Sequence, residues 1–163
     1  EMVADHYLQL VGLKEFSNYY VNRISGGMRQ RVAIARTLAA NPDVLLMDEP
    51  FGALDAQTRE FLQGQLLEIN KKERKTTIFV THDVDESIVL ADRIFIFSAR
   101  PASVIEIIQV SQHITSERDI SVKETQSFFK LRNHIRDLMR DQARRTQELA
   151  EQEIIHGVEG GRV

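Results

Sequence analysis

Two short stretches hold the residues whose types and spacing suit catalysis. Ile24-Ser25-Gly26-Gly27-Met28-Arg29-Gln30-Arg31 opens a helical run, and the apolar stretch Val44 to Met47 delivers Asp48 and Glu49 before Pro50. At Ser25-Gly26-Gly27 a hydroxyl can cap a helix while two residues without side chains let an anion approach the free amides at the positive end of the dipole. Those are the requirements of a γ-phosphate contact; the alternative is a capped helix with a glycine turn. Asp48 and Glu49 fall at the end of a buried-type strand, where α/β sheets place ligand-handling groups. Asp48 is suited to orient Mg2+ through its water shell and Glu49 to polarise an attacking water, unless both acids simply face solvent from a turn.

His82 repeats this geometry, one residue past the strand-like Thr77-Ile78-Phe79-Val80-Thr81. Asp55 lies seven residues beyond Asp48 in Gly52-Ala53-Leu54-Asp55, at the entry to the next helix, where an N-cap is the alternative role. The pattern G-x-x-x-x-G-K-[ST], whose amides and lysine hold nucleotide phosphates, does not occur in the 163 residues. These residues supply one half of an ATP site.

The elements that must position these groups follow from periodicity. Val3, Tyr7, Leu10 and Val11 fall at helical spacing with Gly12 as a C-terminal cap, and an Asn- and Tyr-rich loop runs to Arg23. A second helix from Ser25 carries Val32, Ile34, Ala35, Leu38 and Ala39 until Asn41-Pro42 stops it. Strands are expected at Val44 to Met47, Thr76 to Thr81 and Ile94 to Ser98, with a fourth at Ser103 to Val110, at an edge or in a hairpin with the third. Their nearly continuous apolar character predicts strands covered on both faces, as in a parallel α/β sheet. Helices are expected from about Ala56 to Lys71 and from Asp85 to Ala91. Phe128, Leu131, Ile135, Leu138 and Met139 form one helical stripe; beyond it Arg140 to Glu153 is strongly charged, and Gly157 to Val163 is expected to fray.

Composition narrows the function classes. A chain of this length with 42% hydrophobic residues can bury an ordinary core. A net charge of −3, from 21 basic and 24 acidic residues, gives no broad cationic surface for nucleic acid, so none is expected as a partner. The absence of cysteine excludes disulfides and thiolate metal sites and fits a reducing compartment. No apolar run nears the roughly 20 residues that span a bilayer, and the first residues lack the basic start of a secretory signal, so a cytoplasmic place is expected and membrane association would come through a partner.

In this order and spacing the elements resemble the ATP-binding cassette (ABC) ATPases, from about residue 3 to 110. Ile24 to Met28 resembles that family's signature motif, Val44 to Glu49 its Walker B, Ala53-Leu54-Asp55 its D-loop and His82 its switch histidine. Ile24 stands where leucine is commonest and Met28 where glutamine is. S-G-G-M-R-Q-R-V-A-I-A-R with F-G-A-L-D is similar to importer ATPases of the nitrate, sulfonate and taurine group. The resemblance implies an α/β, partial P-loop NTPase fold with a mostly parallel sheet, part of the helical signature subdomain and a C-terminal helix. It divides the chain into a helical portion at 1–42, a catalytic-core portion at 43–115 and a helical tail at 116–163. It implies ATP and Mg2+ as cofactors, Glu49 and His82 as catalytic residues and Asp48 as the water-mediated Mg2+ ligand. Ser25, Gly26, Gly27 and Met28 would then face the ATP of a second ATPase subunit, and Asp55 the dimer interface.

The implied function is the ATP-hydrolysing subunit of an importer. It would act as a homodimer beneath an integral membrane permease, at the inner face of the cell membrane, and serve a solute-binding protein indirectly. In the family the phosphate loop and Q-loop precede the region matched here, so the chain reads as a C-terminal portion, expected to be inactive alone. The strand leading to the phosphate loop lies mid-sheet in the family. Without it, four or five apolar side chains at roughly 1.5–3 kcal/mol each go unburied, comparable with a domain's net stability of about 5–15 kcal/mol. Marginal stability, or completion of the sheet by another chain, is therefore expected. A noncatalytic interaction fragment that keeps the signature face is the alternative, and DNA-repair or chromosome-structure ABC ATPases are a third class, whose coiled-coil insertions are missing.

Overall fold

The computed structural model describes residues 2–73, 75–98, 101–115 and 119–159, with side chains for all of these except 73 and 146–159. Helix α1 (Met2–Leu10) ends at Gly12, whose φ of +68° is a conformation that favours glycine. There Arg31 Nη1 donates to Val11 O at 3.1 Å and pins the end of α1 to the next helix. The loop that follows contains two 3-10 turns, Lys14–Phe16 and Val21–Arg23. Helix α2 (Gly26–Ala39) starts at Ser25 and stops before Asn41, which takes φ +49° ahead of Pro42. Asn is among the few residues that visit that left-handed conformation, and here its Oδ1 accepts from Lys75 Nζ.

Strand β1 (Val44–Asp48) pairs in parallel with β2 (Thr76–Val80), with Val44 opposite Thr76 and Asp48 opposite Val80. Helix α3 (Ala56–Glu73) makes the crossover that a parallel pair requires. After α4 (Val84–Leu90), β3 (Arg93–Phe97) and β4 (Val104–Gln109) form an antiparallel hairpin with a register shift at Ile96/Phe97. The strands fall within a residue or two of their sequence expectation.

Their burial is one-sided, where the apolar runs led us to expect cover on both faces. Leu45 and Met47 of β1 are buried, but Leu46 is 70% exposed, and Ile78, Val80, Phe95 and Phe97 are also open to solvent. An apolar run records only that both faces avoid water. Among the described residues, helices supply one covering layer.

One apolar cluster joins Ala35 and Leu38 of α2, Leu62, Leu66 and Ile69 of α3, Ile88 and Val89 of α4, the inner strand residues and the tail. Helix α5 (Gln126–Glu159) docks through fully buried Phe128, Leu131 and Ile135, three anchors at the helical spacing read from the sequence, each worth roughly 1.5–3 kcal/mol of burial. A 3-10 turn at Ile120–Glu124 leads into it, tied to α3 by Lys123 Nζ, which donates to Gln63 Oε1 at 3.0 Å and pairs with Glu60 at 3.3 Å. Gly157 to Glu159, expected to fray, belong to α5; residues 160–163 lie outside the described residues.

Candidate nucleotide site

The acid pair stands where β1 ends. Asp48 is its last residue and is exposed, and Glu49 continues the ladder by donating its N–H to Val80 O at 2.9 Å. Glu49 has φ +46°, a left-handed conformation that costs a non-glycine residue on the order of 1–3 kcal/mol and persists only where its surroundings over-determine it. They do so here. Besides the bond to Val80, the Glu49 carbonyl accepts from Gly52 N at 3.2 Å and from the Gln30 side chain at 3.1 Å.

Turned out of line in this way, the Glu49 carboxylate meets His82. Oε1 lies 2.7 Å from His82 Nδ1. The hydrogen bond to Glu49, and next its negative charge, raise the His82 pKa above the ordinary value, although the imidazole is largely exposed. The structure thus brings Glu49 and His82, 33 positions apart, into contact, with Asp48 adjacent on the strand.

Helix α2 begins beside the next turn. Ser25 Oγ accepts from Met28 N at 3.2 Å, which is an N-cap, and Arg29 Nη1 donates to Ile24 O at 2.6 Å. A Cβ added at Gly27 would lie 3.4 Å from Leu54 Cδ2 and 3.5 Å from Ala53 O, so the helix start packs on the Ala53-Leu54-Asp55 turn. Met28 is half-buried against the apolar cluster. Asp55 Oδ1 accepts from Thr58 N at 2.9 Å at the start of α3, and that bond lowers its pKa. Among the described residues, no hydrogen bond or ion pair joins Ser25 or Gly26 to Asp48, Glu49 or His82.

Gln30 went unread as a site residue. Its Nε2 donates to Glu49 O and its Oε1 accepts from Ala53 N at 3.2 Å, so one side chain fastens α2 to both the acid turn and the Asp55 turn. No periodicity marks such a residue. Arg59 and Glu86, which bridge the Asp55 and His82 turns, were also missed; an arginine one helical turn after a capping aspartate was the available signal.

No group of three or more His, Cys, Asp or Glu among the described residues is arranged to hold a metal. A lone exposed Asp48 fits Mg2+, which keeps several waters and is usually held by one or two carboxylates together with substrate phosphates.

Residues 1–52 match the model of the ABC transporter family. An uncharacterized ABC transporter ATP-binding protein of Methanocaldococcus jannaschii is 46% identical over 140 residues, 86% of this chain and 51% of that protein. A nitrate import ATP-binding protein of Synechocystis is 42% identical over 149 residues, 89% of this chain and 55% of its own length. The chain spans about half the length of the curated relatives it matches. Among solved structures, a dimeric bacterial ABC transporter cassette is similar with a TM-score of 0.54 and 41% identity, over 58% of this chain and 40% of that one. A dimeric post-hydrolysis cassette bound to ADP and Pi is similar with a TM-score of 0.58 and 36% identity, over 64% of this chain and 44% of that one. On the family match and these relatives, the chain belongs to the ABC transporter ATPase family.

Proposed function

We propose that the chain forms part of the ATP-hydrolysing subunit of an importer, acting as a homodimer on the inner face of the cell membrane beneath a permease and serving a solute-binding protein. The observation that carries this reading is the contact between Glu49 and His82 at the rim of the β1–β2 pair. Glu49 accepts a proton from the water that attacks the γ-phosphate, and His82 holds the Glu49 carboxylate in place and contributes positive charge beside the phosphate. Asp48 would hold Mg2+ through its water shell, and the ion, when bound, would supply positive charge to the phosphates. Ser25, Gly26, Gly27 and Met28 of one subunit present the start of α2 to the ATP of the other, and Asp55 lies at the interface between them. The three-part division at residues 42 and 115 follows the same reading. The dimeric cassettes among similar structures and the nitrate import relatives support pairing and import.

A second reading is a noncatalytic protein that presents the signature face. One assay separates the two. ATP hydrolysis is measured for the 163-residue chain and for a form extended at its N-terminus through a phosphate-loop segment. Turnover in the extended form alone, abolished by Glu49→Gln, supports the ATPase. Equal rates in both forms, or none in the extended form, reject it.

A further inference from the structure

Arg59 stands one turn into α3 and reaches the turns on both sides of the site. Its Nη2 donates to Leu54 O at 3.1 Å and its main-chain N–H to Asp55 O at 2.9 Å. On the other side Nη1 lies 3.7 Å from Asp83 Oδ2 and Nε 3.6 Å from Glu86 Oε1. The second Glu86 oxygen, Oε2, accepts from Thr81 Oγ1 at 2.8 Å, and Thr81 Oγ1 accepts in turn from Asp83 N at 3.0 Å. Both neighbours of His82, Thr81 and Asp83, are thus fastened to an arginine that also grips the Asp55 turn.

Glu86 is 4% exposed, between buried Val84 and Ile88. Burial is the largest influence on its carboxyl and raises its pKa, against the lowering effect of the Thr81 hydroxyl and, less strongly, of Arg59. Withdrawing a carboxylate from water costs several kcal/mol, and buried ion pairs on average roughly break even against apolar replacements. Net stability is a weak account of an acid at this position. A fixed geometry between two turns is a better one.

We infer that Arg59 and Glu86 are positioning residues that lock the Asp55 turn to the His82 turn, so that a displacement of either is passed to the other. The functional weight of this lock rests on the ATPase reading; the lock itself does not. It acts through main-chain carbonyls and the flanks of His82 and touches no reacting atom. Arg59 Nε is sealed from solvent and lies just outside hydrogen-bond distance of Glu86, so closing by a few tenths of an ångström would complete the bond.

The test is NMR of the isotope-labelled 163-residue chain. Glu86→Gln keeps the size of the side chain and a partner for Thr81 but removes the charge facing Arg59; Arg59→Gln removes the other half. Each variant is expected to move signals across the lock: Glu86→Gln the amides of Leu54 and Asp55, and Arg59→Gln the imidazole signals of His82. The double variant is expected to move them no further than the larger single change. If Glu86→Gln confines its changes to residues 81–90, or the double variant sums the single effects, the lock is refuted. A purely structural role would lower the melting temperature without moving signals on the far side. Should Arg59→Gln fail to fold, Arg59→Lys, which keeps the charge but loses the fork, is expected to move the His82 signals in the same direction, and unmoved signals overturn the inference. ATP turnover does not enter this readout, so a failed hydrolysis assay and an unmoved His82 signal reject different claims.

Discussion

Gln30 holds Glu49 by its main chain, donating at 3.1 Å to the carbonyl of a residue whose φ is +46°. The same amide accepts from Ala53 N, so the acid turn keeps its shape through a side chain that belongs to α2. Position of the Glu49 turn and orientation of α2 are therefore one problem.

Replacing Gln30 by Ala removes both bonds and leaves the half-buried Glu49 carbonyl with fewer partners. Urea denaturation should show a loss of about 1–3 kcal/mol. Gln30→Glu keeps the acceptor for Ala53 but loses the donor to Glu49, so it should recover only part of that loss. A midpoint unchanged in Gln30→Ala would mean that the turn is held without it.

His82 should titrate above its ordinary value of about 6.5, because the Glu49 carboxylate favours the imidazolium. Glu49→Gln should bring the midpoint, followed by NMR, down toward that value. Because the pKa is raised on folding, the contact favours the folded state fully below about pH 6.5 and less as pH rises through the folded midpoint. The ring is exposed, so the visible effect is on its titration rather than on the melting temperature. An identical midpoint in the variant would remove Glu49 as the cause.

The sequence was most legible where the signal is local. The four strands, the Gly12 cap and the Ser25 and Asp55 caps come from apolar runs and turn chemistry that act within a few residues. That Glu49 and His82 both stand just past strand ends was read from the apolar runs, but their contact was not, since two residues 33 apart announce their meeting only through the strands beneath them. Side-chain bonds to distant main chain escaped altogether: nothing in the run Gly27 to Arg31 tells Gln30, which bridges to Glu49 and Ala53, from Arg29, which turns back to Ile24 O. Strand cover on two faces was misread because hydrophobicity states a requirement and does not name what meets it.

The open faces of the strands carry a cost in solution. Leu46 and Val80 sit on the uncovered side of β1 and β2, with Ile78 beside them. Large contiguous apolar patches of this kind promote association. Sedimentation of the 163-residue chain should show concentration-dependent oligomers, and Leu46→Lys should shift the distribution toward monomer while leaving the helical circular dichroism in place. A monomeric wild-type chain at high concentration, with a high cooperative melting midpoint, would contradict this.

Docking of α5 should be as important as any core contact. Phe128 is wholly buried, and Phe128→Ala is expected to cost about 3–5 kcal/mol. Phe129→Ala, at a 43% exposed neighbour, should cost much less. Equal losses in urea titrations of the two variants would show that the tail is not held by its buried stripe.

The tail also takes hold of a helix that adjoins His82. Arg132 and Arg136 of α5 stand 3.5 and 4.0 Å from the two carboxylate oxygens of Asp85, in a helix of seven residues, about 10 Å long, whose capping residue Asp83 directly follows His82. So short a rod has little room to bend. Helix α5 and the His82 turn are thereby joined through α4, by a route that bypasses the sheet.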